Sequence, residues 1–140
     1  MNEYKFEHCI PALEKHLKGI KEPRIYLPGT NQGEVLAWAY GYFDNVSLVS
    51  GVDRILLRTP CDISFINEDM KPYELAKLLF QAYDNTKIGG HIVCNHFYEN
   101  RPEDEFEANP RYGIDAFSFL VQHRTDVLFK GNQIILRKLG

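Results

Sequence analysis

The sequence predicts a single α+β domain over residues 1–140, with a mainly antiparallel sheet, about four helices and a C-terminal β-hairpin. A length of 140 residues is typical of one domain that can bury its own core. Apolar residues recur at helical spacing in several segments, and short apolar runs bounded by turn residues lie between them. We find no internal repeat, low-complexity tract or linker that would divide the chain. One α+β domain is therefore the economical interpretation.

Three elements are predicted in the first third of the chain. Residues 10–20 place apolar side chains at helical spacing and predict a short amphipathic helix. The run 24–27 lies between two prolines and predicts a strand near the edge of the sheet. Residues 31–43 predict a second helix, because Asn31 and Glu34 have the spacing of a capping box and a largely apolar segment follows.

Three short β-type runs follow, which predict neighbouring antiparallel strands. They cover residues 46–49, 54–58 and 61–66 and are separated by turn residues. In the third run apolar and polar residues alternate, as in a strand with one face exposed to water. This alternation predicts that Cys61 points into the core.

A third helix is the clearest periodic element. It begins at Pro72, which suits a first helical turn, and its apolar stripe predicts four core residues. These are Leu75, Leu78, Leu79 and Ala82.

The last part of the chain predicts a strand, a helix and a hairpin. Gly89-Gly90 marks a turn into a strand over residues 91–98. Apolar residues recur at helical spacing over residues 114–123 and predict a helix. The apolar runs 127–129 and 133–136 flank Gly131-Asn132. A glycine and asparagine pair between two apolar runs predicts a β-hairpin.

The composition makes several classes of protein improbable. A pI near 5.9 and the lack of a Lys/Arg run argue against direct nucleic-acid binding, which requires a basic surface. No run of about 18 apolar residues predicts a membrane span, and the N-terminus lacks a secretory signal, so we expect a cytoplasmic protein. Three widely spaced cysteines predict reduced thiols and no disulfide framework.

His91, Cys94 and His96 are the residues most similar to metal ligands. On a regular strand Cys94 and His96 share one face while His91 points to the other, so we predict no metal site. We also predict no cofactor. The enzymatic alternative is a small Cys/His-dependent enzyme that uses Cys94 as nucleophile, with His91 or His96 as base.

The segment from Tyr98 to Glu107 carries the main functional hypothesis. Between Glu99 and Glu107 the local charge is −4, whereas the whole chain has a net charge of −3. Aromatic residues among carboxylates are typical of an interface for a basic protein. The predicted partner-binding residues are Tyr98, Glu99, Glu103, Asp104, Glu105, Phe106 and Glu107.

The sequence therefore favours a binding protein over an enzyme. The leading hypothesis is an acidic immunity-type inhibitor that neutralises a basic toxin or nuclease by blocking its active site. The simpler interpretation of the same segment is an exposed connection kept in solution by its charge.

Overall fold

The protein forms a six-stranded sheet with helices on both faces. The computed structural model describes residues 6–29, 32–50, 59–67, 70–95, 111–131 and 133–140. In chain order the helices are a 3-10 helix Phe6–Cys9, α1 Ile10–His16, α2 Gly33–Tyr42, α3 Pro72–Asn85 and α4 Arg111–Leu120. The strands are β1 Arg24–Leu27, β2 Ser47–Ser50, β3 Cys61–Ile66, β4 Thr86–Asn95, β5 Thr125–Lys130 and β6 Gln133–Lys138.

The strand order in the sheet is β2-β1-β3-β4-β6-β5. β1 pairs in parallel with β2 and with β3, and β3 pairs in parallel with β4. Only β6 is antiparallel to its neighbours β4 and β5. The prediction of a mainly antiparallel α+β fold is therefore wrong: the protein is a single-domain α/β fold with a mixed, mostly parallel sheet. The helices α2 and α3 supply the crossover connections that parallel strands require.

The core lies on both faces of this sheet. One apolar cluster joins α3 and α4 to the strands, and the other joins the 3-10 helix, α1 and α2 to the opposite face. Consequently β3 has no water-exposed face, contrary to the prediction, and Ser64 is fully buried. The Ser64 hydroxyl donates a hydrogen bond of 3.2 Å to the carbonyl of Ala82 in α3. A parallel strand between two helical layers is buried on both sides, which explains the difference.

Several predicted elements are confirmed. α3 begins at Pro72, and its four predicted core residues are all buried. β3 has the predicted bounds, Cys61 is buried, and β5 and β6 form the C-terminal hairpin. β1 also has its predicted bounds, but it lies inside the sheet and not near the edge.

Other boundaries differ from the predictions. β4 follows α3 directly, so Gly89 (φ 85°) and Gly90 lie within the strand and not in a turn before it. α1 ends at His16, and α4 covers Arg111–Leu120 where residues 114–123 were expected. The N-cap of α2 is Gln32, one residue beyond the predicted Asn31.

Two sequence predictions fall outside the described residues. These are the strand at 54–58 and the acidic segment at 98–107. Within the described ranges, no helix combines the length and the apolar composition that crossing a bilayer requires.

Candidate ligand-binding edge of the sheet

The carboxyl ends of the parallel strands form one edge of the sheet. β1 ends at Leu27, β3 at Ile66 and β4 at Asn95. Because β6 is antiparallel to β4, Gln133 at the start of β6 lies beside Asn95 at the same edge. In open α/β sheets this edge is where ligands bind.

The strands that neighbour β1 lie on opposite sides of it, so the direction of the chain connections reverses at β1. This reversal marks a candidate binding position along the edge. β2 and β3 flank β1 on opposite sides. α2 packs on one face of the sheet through Val35 and Ala39, and α3 packs on the other. Where successive connections leave in opposite directions, a crevice is expected beyond the strand ends, here between β1 and β3.

The turn from β1 into α2 lies beside this crevice. Gly29 has φ +97°, a backbone conformation that residues other than glycine rarely adopt. The Gln32 amide donates hydrogen bonds to the carbonyls of Leu27 at 2.9 Å and Gly29 at 2.6 Å, which hold the turn in place.

The first turn of α2 offers hydrogen-bond donors to this crevice. α2 begins at Gly33, and a Cβ built on Gly33 would meet no atom within 4 Å. The space beside Gly33 is therefore open. The first backbone N–H groups of a helix have no partner within the helix, and the helix dipole is positive there.

Three buried amide side chains line the same edge. Asn67 follows β3, Asn95 ends β4 and Gln133 begins β6, and each is at most 1% exposed. Strand alternation places them on the face that carries α1 and α2. Asn95 Nδ2 donates to Asn67 Oδ1 at 2.8 Å, and Gln133 Nε2 donates to the carbonyl of Cys9 at 2.7 Å. Neutral amides can orient a ligand through hydrogen bonds, but they do not exchange protons near neutral pH.

The charged groups with shifted pKa values lie toward the other end of the strands. Burial raises the pKa of Asp62, but this is outweighed by the backbone N–H of Arg24, 2.7 Å away, and by the Lys87 ammonium, so the net pKa is lowered. Burial, and next the charge of Arg137, lowers the pKa of His91. Asp62, Lys87 and His91 are thus separated from the amide-lined edge.

The structure separates the residues of the predicted Cys/His pair. Cys94 belongs to the core cluster beneath α3 and α4, whereas alternation along β4 turns His91 to the opposite face. Cys94 is fully buried, its thiol donates to the carbonyl of Asn95 at 3.7 Å, and burial strongly raises the pKa of that thiol. Cys94 therefore cannot react with His91 as its base, and His96 lies outside the described residues.

The other predicted sites are not placed by the structure. Across the described ranges, no group of three or more His, Cys, Asp or Glu side chains gathers as metal ligands would. All seven residues of the predicted partner surface, from Tyr98 to Glu107, lie outside these ranges. Their role in binding a basic protein remains a prediction.

Sequence reasoning missed the residues at the carboxyl edge. The sequence analysis assigned no binding role to Asn67 or Gly29. The signal that could have found them is the alternation of strands with helices from β1 to β4, which is typical of a parallel sheet. With that sheet in place, each strand end becomes a candidate binding position.

Known proteins resemble this chain in structure. No protein-family model matches the sequence, and no curated protein matches it significantly. A provisionally assigned rRNA methylase from Clostridium thermocellum superimposes with a TM-score of 0.68 at 13% identity, covering 100% of this chain and 98% of that one. The two proteins share one fold. The O-methyltransferase TomG from Streptomyces achromogenes, in complex with SAM, gives a TM-score of 0.65 at 16% identity, covering 99% of this chain and 82% of TomG.

The neighbours differ in what they methylate. The N-methyltransferase NodS from Bradyrhizobium japonicum gives a TM-score of 0.65 at 9% identity, with 96% of each chain covered. At such low identities the similarity shows a common fold. Because rRNA, O- and N-methyltransferases recur among the neighbours, they contradict the hypothesis of an immunity-type toxin inhibitor and that of a Cys/His enzyme.

Proposed function

We propose that this chain is a methyltransferase that binds S-adenosylmethionine at the carboxyl edge of its sheet. When bound, that cosubstrate supplies an electrophilic methyl group carried on a sulfonium sulfur. The observation that carries the proposal is the Gly29–Gly33 turn, which joins β1 to α2 at the switch point of a fold shared with methyltransferases. A glycine turn that opens onto a helix at this position is typical of sites for nucleotide-like ligands.

The residues of this turn fit such a ligand. Gly33 leaves open space beside the first residue of α2, which allows a ligand to approach the backbone closely. The free N–H groups of the first helical turn can donate to the carboxylate or the ribose of the cosubstrate. Gln32 holds the turn through its two hydrogen bonds, so the donors are arranged before the ligand binds.

Asp53 is the candidate partner of the ribose hydroxyls. It lies three residues after the end of β2 and twenty residues beyond Gly33. In nucleotide-binding α/β folds, an acid at about this distance after the glycine turn accepts hydrogen bonds from the ribose. Asp53 is outside the described residues, so this role rests on its sequence position alone.

Isothermal titration calorimetry on two matched glycine variants tests the proposal. Gly33→Ala places a methyl group in the open space that the ligand would occupy. Gly41→Ala is the control, because Gly41 lies in the same helix and its added Cβ also meets nothing within 4 Å. Both variants should fold, since alanine favours the helix.

We expect Gly41→Ala to bind S-adenosylmethionine with the affinity of the wild type, and likewise S-adenosylhomocysteine. Gly33→Ala should bind each about 10-fold more weakly or worse, a loss of roughly 1.4 kcal/mol. NAD serves as a ligand of a different nucleotide class. If the wild type binds neither adenosyl compound at millimolar concentration, or if Gly33→Ala binds them as tightly as the wild type, the proposed site is wrong.

A further inference from the structure

Two buried oxygen atoms at the carboxyl edge have no hydrogen-bond partner among the described residues. They are Oδ1 of Asn95 and Oε1 of Gln133. Both side chains are at most 1% exposed, so bulk water does not compensate them. An unpaired buried acceptor costs free energy, and such an atom in a native protein requires an explanation, such as a bound water molecule or a ligand.

The two oxygens belong to directly opposed residues. Asn95 and Gln133 are cross-strand partners in the antiparallel pair of β4 and β6, and their side chains lie on the same face. Side chains in this relation have Cβ atoms about 5 Å apart. The two amide side chains therefore lie side by side at this edge.

The nitrogen atom of each amide donates a hydrogen bond within the protein. Asn95 Nδ2 donates toward β3, to Asn67 Oδ1, so its oxygen is directed away from β3. Gln133 Nε2 donates to the Cys9 carbonyl at 2.7 Å. Exchanging the nitrogen and oxygen of Gln133 would set two acceptors against each other, so its oxygen is left without a donor.

We propose that these two oxygens accept a pair of hydrogen bonds from a neutral amino group of the methyl-acceptor substrate. The group would be the –NH₂ of a carboxamide or of an aromatic amine. This inference rests on the proposed function, and it names the chemical class of the acceptor at the same edge of the sheet.

The neutral character of the group follows from the two acceptors themselves, which carry no charge. Both acceptors are uncharged amides, and among the described residues Asp62 and His91, whose pKa values are shifted, lie toward the other end of the strands. Burying an ammonium ion without a carboxylate is strongly unfavourable, whereas a neutral –NH₂ offers two N–H donors without that cost. Asn95 and Gln133 recognise the group and do not remove its proton.

Nuclear magnetic resonance titration of the full chain tests this inference with three small probes. Acetamide carries a neutral –NH₂, N,N-dimethylacetamide has the same carbonyl but no N–H, and methylammonium carries charge. The side-chain amide signals of Asn95 and Gln133 are followed with and without S-adenosylhomocysteine. For probes this small, apparent dissociation constants in the millimolar range are expected.

We expect acetamide to shift both signals with an apparent Kd at least 10-fold below that of N,N-dimethylacetamide. Asn95→Leu and Gln133→Leu should each abolish the acetamide response, whereas Gln122→Leu on the exposed turn after α4 should leave it unchanged. Since either buried variant could fail to fold, the contrast between the two acetamides on the wild type decides the matter.

Two results would overturn the inference. If both acetamides act alike or neither acts, the oxygens are satisfied by an internal water molecule. If methylammonium binds more tightly than acetamide, the assignment to a neutral group is wrong. Calorimetry with S-adenosylhomocysteine is read separately: binding of the adenosyl compound without an acetamide response refutes only the substrate inference, and its failure to bind refutes the proposed function.

Discussion

At the scale of single residues, the two ends of the parallel strands differ in chemistry. Neutral amides line the carboxyl edge, whereas Asp62 with Lys87 and Asp126 with Arg137 form ion pairs elsewhere. Because these ion pairs lie away from the amides, a ligand bound at the carboxyl edge would not contact them. It also predicts that the pH dependence of stability and the binding of ligand have different origins.

His91 provides a test of that separation. Burial, followed by the charges of Arg137, His16 and Lys87, lowers the pKa of His91 below its usual 6.5. The unfolded chain therefore binds a proton at His91 at a higher pH than the folded chain does. The resulting stability is fully present above about pH 6.5 and is lost as the pH falls toward the folded pKa.

We expect His91→Gln to flatten the decline in unfolding free energy between pH 7 and pH 5. Urea denaturation at several pH values measures it, with His123→Gln, at an exposed histidine, as the control. A variant whose stability falls with pH as steeply as that of the wild type would show that His91 does not contribute.

At the scale of elements, the contact between α3 and α4 depends on a glycine. A Cβ on Gly113 would clash with the carbonyl oxygen of Pro72, which is a backbone atom and cannot rotate away. Gly113→Ala should therefore destabilise the protein by about 1 to 3 kcal/mol, despite the better helix propensity of alanine. Gly41→Ala, whose Cβ meets open space, should not. Equal denaturant midpoints for the two variants would show that the helices move apart without cost.

The elements also show what the sequence could predict. α3, β3 and the C-terminal hairpin were found because their apolar spacing or turn chemistry is local. Strand direction is not local: β1 was assigned to an edge because Pro23 and Pro28 flank it, yet both prolines lie outside its paired residues. The alternation of strand and helix contained the information on parallel pairing, and it was not used.

The candidate site could not be read from the sequence for a related reason. Asn95 lies 28 residues beyond Asn67, and Gln133 lies a further 38 residues along the chain. No spacing rule joins three amides at such separations. Only the order β3-β4-β6 in the sheet makes them neighbours.

At the scale of the whole molecule, the fold brings four separate segments to one edge. The turn at 27–33 provides the proposed cosubstrate site, and the ends of β3, β4 and β6 provide the amides. Adjacent strands are about 4.8 Å apart, so the oxygens of Asn95 and Gln133 lie roughly 10 to 15 Å across the sheet from β1. That distance leaves room for a cosubstrate and an acceptor to lie side by side.

Binding at this edge should stabilise the entire domain, because the edge exists only when the strands are assembled. A ligand at 100 times its Kd adds about 2.7 kcal/mol to the free energy of unfolding. With an unfolding entropy of about 0.3 kcal/mol/K for a chain of this size, saturating S-adenosylhomocysteine should raise Tm by about 9 °C. Differential scanning calorimetry measures the shift, and Gly33→Ala at the same ligand concentration should show a clearly smaller one.

Hydrogen exchange locates the bound ligand along the strands. On binding, exchange should slow most in β1 and the first turn of α2. Protection confined to the opposite ends of the strands, near Asp62 and Lys87, would place the ligand at the wrong end of the sheet for the proposed function.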